Sequence, residues 1–355
     1  MGESGTRAAI VGTGLIGGSI GLALRRLGWH VTGRDHDRAR AERAVELGAL
    51  DTIGSDADAD VVFVATPVSA VAAEARQLVK AGRTVVTDVG SVKAPIVAAV
   101  DHPRFVGGHP MAGSEQEGVD GADADLFAGA VWVLTPSETT DPSAYARLQD
   151  VVTSMGASVV AIPPERHDAL VAVVSHVPHL TAAALMTIAS ARSEEHATLL
   201  RLAAGGFRDM TRIAAGHPGI WPDICAENRD AIVTALDELL GTLTSLRSTV
   251  ADADRGELLR LLEAARTARI NLPARAVASA DEMVELRIPV PDRPGVLAEV
   301  TTLAGELGVN IADIEIAHSA EGDRGVLLLL VDVKEADLLR GACYARGFRP
   351  SVRPL

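Results

Sequence analysis

The stretch AAIVGTGLIGGSIGLAL, residues 8–24, constrains the fold more than any other part of the chain. A short apolar run enters a turn with Gly12, Gly14 and Gly17 at G-x-G-x-x-G spacing, and an apolar helical pattern follows at once. Three such glycines between a strand and a helix open a βαβ unit. The first permits a tight turn, the second lets a pyrophosphate approach the backbone, and the third lets helix pack on strand. The helix N-terminus at Leu15 and Ile16 offers free N–H groups and a positive dipole end to the phosphates. Asp35 closes the next apolar run, HVTGRD, about twenty residues on, where a carboxylate takes the ribose hydroxyls of NAD. Arg34 beside it suits the 2′-phosphate of NADP, but the acid at the strand end repels that phosphate, so NAD is the expected cofactor.

The rest of the first half continues the alternation, with DVVFVATP, TVVTDVGS and AVWVLTP as further strands between helical patterns. This predicts an α/β domain with a Rossmann-like parallel sheet over residues 1–165. From His167 the strand signals stop. DAIVTALDELLGTLTSLRSTV sets Ile232, Leu236, Leu239, Leu243 and Leu246 on one helical face, predicting an all-helical domain over 166–272 with an apolar surplus suited to a dimer interface. After the linker LPARAVASAD the order β-α-β-β-α-β predicts a ferredoxin-like unit over 282–355.

A net charge of −14, from 33 basic and 47 acidic residues, disfavours nucleic acid and anionic membrane as partners of the whole chain. Cys225 and Cys343 lack metal spacing and read as reduced thiols, consistent with a cytoplasmic protein. The apolar run 169–190 has Ser175, His176, Pro178 and His179 in its middle, which suits a buried helix of a soluble protein better than a membrane span.

Three clusters are dense in reactive side chains: TDVGSVK (87–93), GGHPMAGSE (107–115) and VVSHVPH (173–179), the last followed by GGFRDMTRIA (205–214) and Trp221. On a helix Ser175 and His179 share a face, and Pro178 kinks it. Arg208 and Arg212 are also four apart, and a buried arginine there demands an anion such as a substrate carboxylate. A lone His109 among glycines reads as a loop residue. His176 reads as a helix-packing histidine donating to a backbone carbonyl, and His176 with His179 lack the third ligand of a metal site. Arg208 reads as a surface ion-pair residue. Trp221 either lines the site, from a partner subunit, or packs. Lys93 is either a helix cap or close to the nicotinamide.

Taken together, GTGLIGGS, DVGSVK, HPMAGSE, VVSHVPH and GGFRDMTRIA resemble the prephenate/arogenate dehydrogenase family of tyrosine biosynthesis over residues 7 to about 270. The C-terminal VPDRPGVLAEV and GVNIADIEI resemble an ACT domain, a ligand-binding module. The resemblance implies NAD-dependent oxidative decarboxylation of prephenate to 4-hydroxyphenylpyruvate. His109 would be the base or hydrogen-bond acceptor, and Ser91 would hold the hydroxyl and the imidazole. Arg212 would bind a carboxylate, and His179 with Ser175 would meet the side-chain end of the substrate. Ser114 and Glu115 would stand near the pocket mouth. It also implies a homodimer, with a tetramer through ACT pairing left open, and an amino-acid effector, tyrosine, near Asp292, Gly295 and Asn310. The alternatives are arogenate as substrate, a non-catalytic NAD and amino-acid sensor, and a reductase of the 3-hydroxyacid or pyrroline-carboxylate type. The joint presence of Ser91, His109 and Arg212 argues against the sensor, and the HPMAGSE cluster does not fit the reductases.

Overall fold

In the computed structural model, which describes residues 6–82, 84–114, 116–195, 199–271, 283–291, 293–318 and 324–354, the chain divides into two units, Met1–Leu258 and Leu259–Leu355. In the first, β1 (Arg7–Val11), β2 (His30–Arg34), β3 (Thr52–Ile53), β4 (Val61–Val64), β5 (Val85–Asp88) and β6 (Phe105–Pro110) are joined through α1 (Leu15–Arg26), α2 (Arg38–Glu46), α3 (Val68–Ala81) and α4 (Ala94–Val100). Next come β7 (Val131–Thr135), α5 (Pro142–Ser154) and β8 (Ser158–Ala161). The sheet order is β3-β2-β1-β4-β5-β6-β7-β8. The first six strands are parallel, whereas β7 runs antiparallel to β6 and carries β8 with it.

The order 3-2-1-4-5-6 within this sheet is that of dinucleotide-binding folds. Ile10 and Phe63 bury on one face with Trp132 and Leu148, while Val62, Val64 and Val86 bury on the other with Val71 and Ile96. With both faces covered, the central strands read as unbroken apolar runs rather than alternating ones.

Behind β8 come α6 (Pro164–Val171), a π-helical turn (Ala172–His176) and α7 (Val177–Glu195). The irregularity precedes Pro178, which has no N–H to donate back along the helix, and the wider turn absorbs that missing bond. Ser175 therefore lies in a π turn rather than in the regular helix expected for it. The stretch Pro164–Arg192 is long and apolar enough to cross a membrane by length and composition. It carries His167, Asp168 and His176, all buried within the protein. The helices α8 (Gly205–Thr211), α9 (Trp221–Glu227), α10 (Arg229–Ala251) and α11 (Arg255–Ile270) follow. On α10 the predicted face is buried only at its start. Ile232 is inside, Leu236, Leu239 and Leu246 are half-buried, and Leu243 is exposed in the single chain.

The second unit has β9 (Met283–Pro291), α12 (Val296–Glu306), β10 (Ile311–His318), β11 (Arg324–Asp332), α13 (Val333–Ala345) and β12 (Ser351–Pro354). They form an antiparallel sheet of order β10-β11-β9-β12. Leu286, Ile288, Leu327 and Leu329 pack with Val300, Leu303 and Leu339 of the two helices. This is the expected ferredoxin-like arrangement.

Candidate active site

Gly12 takes φ +94, a left-handed conformation that only glycine adopts without strain, and a Cβ there would lie 2.4 Å from the Ala65 carbonyl oxygen. At Gly17 a Cβ would lie 2.0 Å from the Gly12 carbonyl oxygen, so the helix can meet the turn only without a side chain. Gly14, the N-cap of α1, has nothing within 4 Å of that position, which leaves its backbone open to a ligand. Leu15 and Ile16 begin the helix beside it.

Asp35 reaches back to this turn. It accepts from the Thr13 N–H at 2.7 Å and hydroxyl at 3.2 Å, and from the Asp37 N–H at 3.0 Å. Burial opposes its ionisation, but these donors, with His36 nearby, hold its carboxyl below the ordinary value. Arg34 pairs with Glu74 at 2.5 Å. The Thr66 hydroxyl, at the end of β4 against the glycine turn, is buried without a partner among the described residues. An open glycine backbone, an anionic strand end and an unpaired hydroxyl together fit a dinucleotide such as NAD.

The loop after β5 carries Ser91, partly exposed, between two anchored neighbours. Asp88 accepts from the Gly90 N–H at 2.9 Å and the Gly108 N–H at 3.2 Å. The fully buried Lys93 donates to Asp88 and, at 2.8 Å, to the Gly108 carbonyl. Burial pushes the Lys93 ammonium down, and Asp88 opposes it. Lys93 thus pins the backbone next to His109 and is the N-cap residue of α4.

His109 stands within β6, not in a loop. The two glycines before it are needed for close approach, because a Cβ at Gly107 would meet the Thr135 hydroxyl at 2.4 Å and one at Gly108 the Asp88 carbonyl at 2.7 Å. His109 Nδ1 lies 2.8 Å from His167 Nε2, and His167 Nδ1 lies 2.7 Å from Asp168 Oδ1. The Asp168 carboxylate also accepts the Lys93 N–H and the Ala94 N–H, each at 2.8 Å. Burial holds His109 well below its ordinary value, reinforced by His167, Lys93 and His176, so its ring is neutral at neutral pH.

Sequence reasoning missed His167 and Asp168. Their signal was the polar run Glu165, Arg166, His167 and Asp168 in PPERHDAL, ahead of a long apolar stretch. It also missed Asn228, which looks like a helix cap before α10. Its side chain caps nothing. Instead it donates to the Asp168 carbonyl at 3.0 Å and faces His176 Nδ1 at 3.2 Å.

This corrects the reading of His176, which accepts rather than donates there. Its Nε2 is buried with no partner among the described residues. Desolvation lowers His176 to about 4. Trp221 packs within its own chain, stacked on His179 at 3.7 Å between ring centroids and edge-on to His176 at 6.1 Å. Burial lowers His179 as well. Arg212 sits just past α8 at the start of a 3-10 turn that packs on α7, and it is exposed in the single chain rather than buried. Arg208 is also exposed and bonds the Ala203 carbonyl at 3.0 Å. Ser114 is exposed and accepts from the Gln116 N–H at 2.9 Å. Glu115 lies outside the described residues, as does Asp292.

In the second unit, a cavity of about 190 Å³ is lined by Val290, Arg293, Gly295, Leu297, Ile316 and Leu327, among others. Gly295, at φ +88, caps α12 beside it. Asn310 does not line this cavity. Its N–H bonds Glu335 at 3.2 Å, at the foot of β10.

Residues 20–162 match the family model for the prephenate dehydrogenase nucleotide-binding domain, 163–264 that for the prephenate dehydrogenase dimerization domain, and 284–341 that for the ACT domain. The prephenate dehydrogenase of Bacillus subtilis is 35% identical over 333 residues, which cover 90% of each chain. Among solved structures, the prephenate dehydrogenase from A. aeolicus in complex with hydroxyphenyl propionate and NAD+ matches with a TM-score of 0.71 at 32% identity, over 77% of this chain and 100% of that one. The Synechocystis arogenate dehydrogenase matches with a TM-score of 0.65 at 33% identity, over 75% and 99% of the two chains.

Proposed function

The chain belongs to the prephenate dehydrogenase family of NAD-dependent oxidoreductases, and from that premise we propose that it converts prephenate to 4-hydroxyphenylpyruvate with His109 as the base. The observation that carries this reading is the neutral His109 ring, engaged at Nδ1 and leaving Nε2 to accept a proton. When bound, NAD supplies the acceptor for the hydride that leaves the hydroxyl-bearing ring carbon. Gly12, Gly14 and Gly17, with the N–H groups of Leu15 and Ile16, would hold its pyrophosphate, and Asp35 its ribose hydroxyls. Engagement of Arg34 by Glu74 supports NAD over NADP.

His109 Nε2 takes the substrate hydroxyl proton while Ser91 steadies that hydroxyl. Loss of carbon dioxide then makes the ring aromatic. Arg212 receives a substrate carboxylate bidentately. His179, backed by Trp221 and beside Ser175, donates to the keto oxygen of the side chain, with Ser114 and Glu115 at the mouth. A neutral imidazole suits a keto oxygen, whereas the ammonium of arogenate is better met by a carboxylate, which supports prephenate.

The three stretches 1–165, 166–272 and 282–355 are read as cofactor, dimerisation and effector domains. Exposed Val173, Val174, Ile188, Met210, Leu240 and Leu243 on the helical part support a homodimer. The acidic net charge and two unpaired cysteines support a cytoplasmic enzyme. Tyrosine is the proposed effector. The α12 N-terminus suits its carboxylate, with Arg293 beside it able to exchange its Glu299 partner at 2.7 Å for that anion, and the apolar cavity walls suit its ring.

The test is reduced-nicotinamide absorbance with prephenate or arogenate, each with NAD and NADP, repeated for His109→Ala. Turnover with prephenate and NAD, lost by about 10²–10⁴-fold in the variant, is the expected result. Turnover with arogenate alone would overturn the substrate, and silence in all four mixtures would favour a sensor. Arg293→Ala should weaken tyrosine inhibition, and unchanged inhibition would sink the effector site.

A further inference from the structure

We propose that His167 and Asp168 are positioning residues that hold His109 in the one tautomer able to take a proton from substrate. The proposal rests on His109 being the base. Hydrogen-bond partners assign each proton in turn. Asp168 Oδ1 accepts the Lys93 N–H and faces His167 Nδ1, and Oδ2 accepts the Ala94 N–H. A carboxylate used as an acceptor on both oxygens has no proton to give, so the proton between it and the ring belongs to His167 Nδ1. In the neutral ring, His167 Nε2 is then a bare lone pair.

That lone pair meets His109 Nδ1 at 2.8 Å, so the proton on this second bond must come from His109. His109 Nε2 is left bare, as a base requires. The opposite tautomer would set two lone pairs against each other beside a residue that is fully buried. Asn228 fixes the start of the relay by donating to the Asp168 carbonyl. The other titratable groups acting on His109 are Lys93 and His176, and both disfavour a proton on it. When substrate delivers its proton to Nε2, the His109 Nδ1–H stays bonded to His167. The new charge is then met by the Asp168 carboxylate two bonds away. A single proton moves: the substrate O–H bond breaks as the His109 Nε2–H bond forms, while His167 and Asp168 keep their protonation unchanged.

The test is steady-state turnover of the full chain with prephenate and NAD, for His167→Leu, His109→Ala and the double variant. His167→Leu should lower kcat by about 10²–10⁴-fold while KM for NAD stays within about twofold. The double variant should be no slower than His109→Ala alone, because the relay acts only through that ring. A merely structural defect would add to the loss instead. His167→Leu within threefold of the parent, or an additive double variant, would overturn the proposal while leaving the base intact. Full activity in His109→Ala would overturn the base reading, and the relay with it. Should the His167→Leu chain not fold, Asp168→Asn and His167→Gln keep the site filled and carry the same double-variant test.

Discussion

Thr13 and Asp35, which join across the nucleotide turn, are 22 residues apart in sequence and lie in one βαβ unit. His109 and His167 are 58 apart, and Lys93 and Asp168 are 75 apart. The turn is shaped by backbone: glycines where a Cβ would collide, and N–H groups left open at a helix start. The relay is shaped by side chains, and behind His109 its members His167, Asp168 and Lys93 are polar groups taken out of water. A backbone site is damaged by added volume, whereas a side-chain site is damaged by a lost partner.

That contrast can be tested by size of effect. The largest is expected at the buried ion pair. Lys93→Met strands the Asp88 charge and should cost about 3–5 kcal/mol of stability, read by denaturant unfolding. An unchanged midpoint would mean that water reaches Asp88 and that the side-chain region is not as dry as its burial implies.

Acid should act on the same region next. His176 titrates at about 4 in the fold and near the ordinary 6.5 once unfolded. Between those values the unfolded chain binds the proton and the native chain does not, so stability rises with pH across this window and falls on acidification. The span from 6.5 to about 4 corresponds to about 3 kcal/mol, and His109 acts in the same direction. Thermal unfolding at pH 7 and pH 4.5, flattened in His176→Asn, is the measurement.

Damage to the turn should be smaller and of another kind. Gly17→Ala forces helix from turn and should cost about 1–3 kcal/mol, together with weaker NAD binding by calorimetry. Normal NAD affinity in that variant would break the contrast. Asp35→Asn keeps the shape and loses the charge. It should weaken NAD by about tenfold, the worth of one hydrogen bond to a charged group, and leave kcat alone.

The same contrast explains what the sequence disclosed. The glycine turn and Asp35 are local, so spacing alone locates them. The strand holding His109 was hidden, because Gly107 and Gly108 break any strand pattern. They are there to admit the Asp88 carbonyl and the Thr135 hydroxyl, neighbours contributed by other strands. His167 and Asp168 were hidden because they sit in a run of four consecutive polar residues, 165–168, that reads as a solvated helix start and carries no periodicity. Only the fold brings one to His109 and the other to the start of α4. Asn228 misled through its position, a helix N-cap by sequence and a bridge between Asp168 and His176 in space. Pro178 announced an irregularity without its form, a π turn one step upstream.

The two backbone bonds that Asp168 accepts from Lys93 and Ala94 have a mechanical consequence. Asp168 rides on the first helix behind the sheet, while Lys93 and Ala94 belong to the sheet's own loop and helix. The carboxylate that orients the histidines is therefore also a rivet between two layers. If those layers slid past each other, the contact between His109 and His167 would be pulled out of line at the same moment.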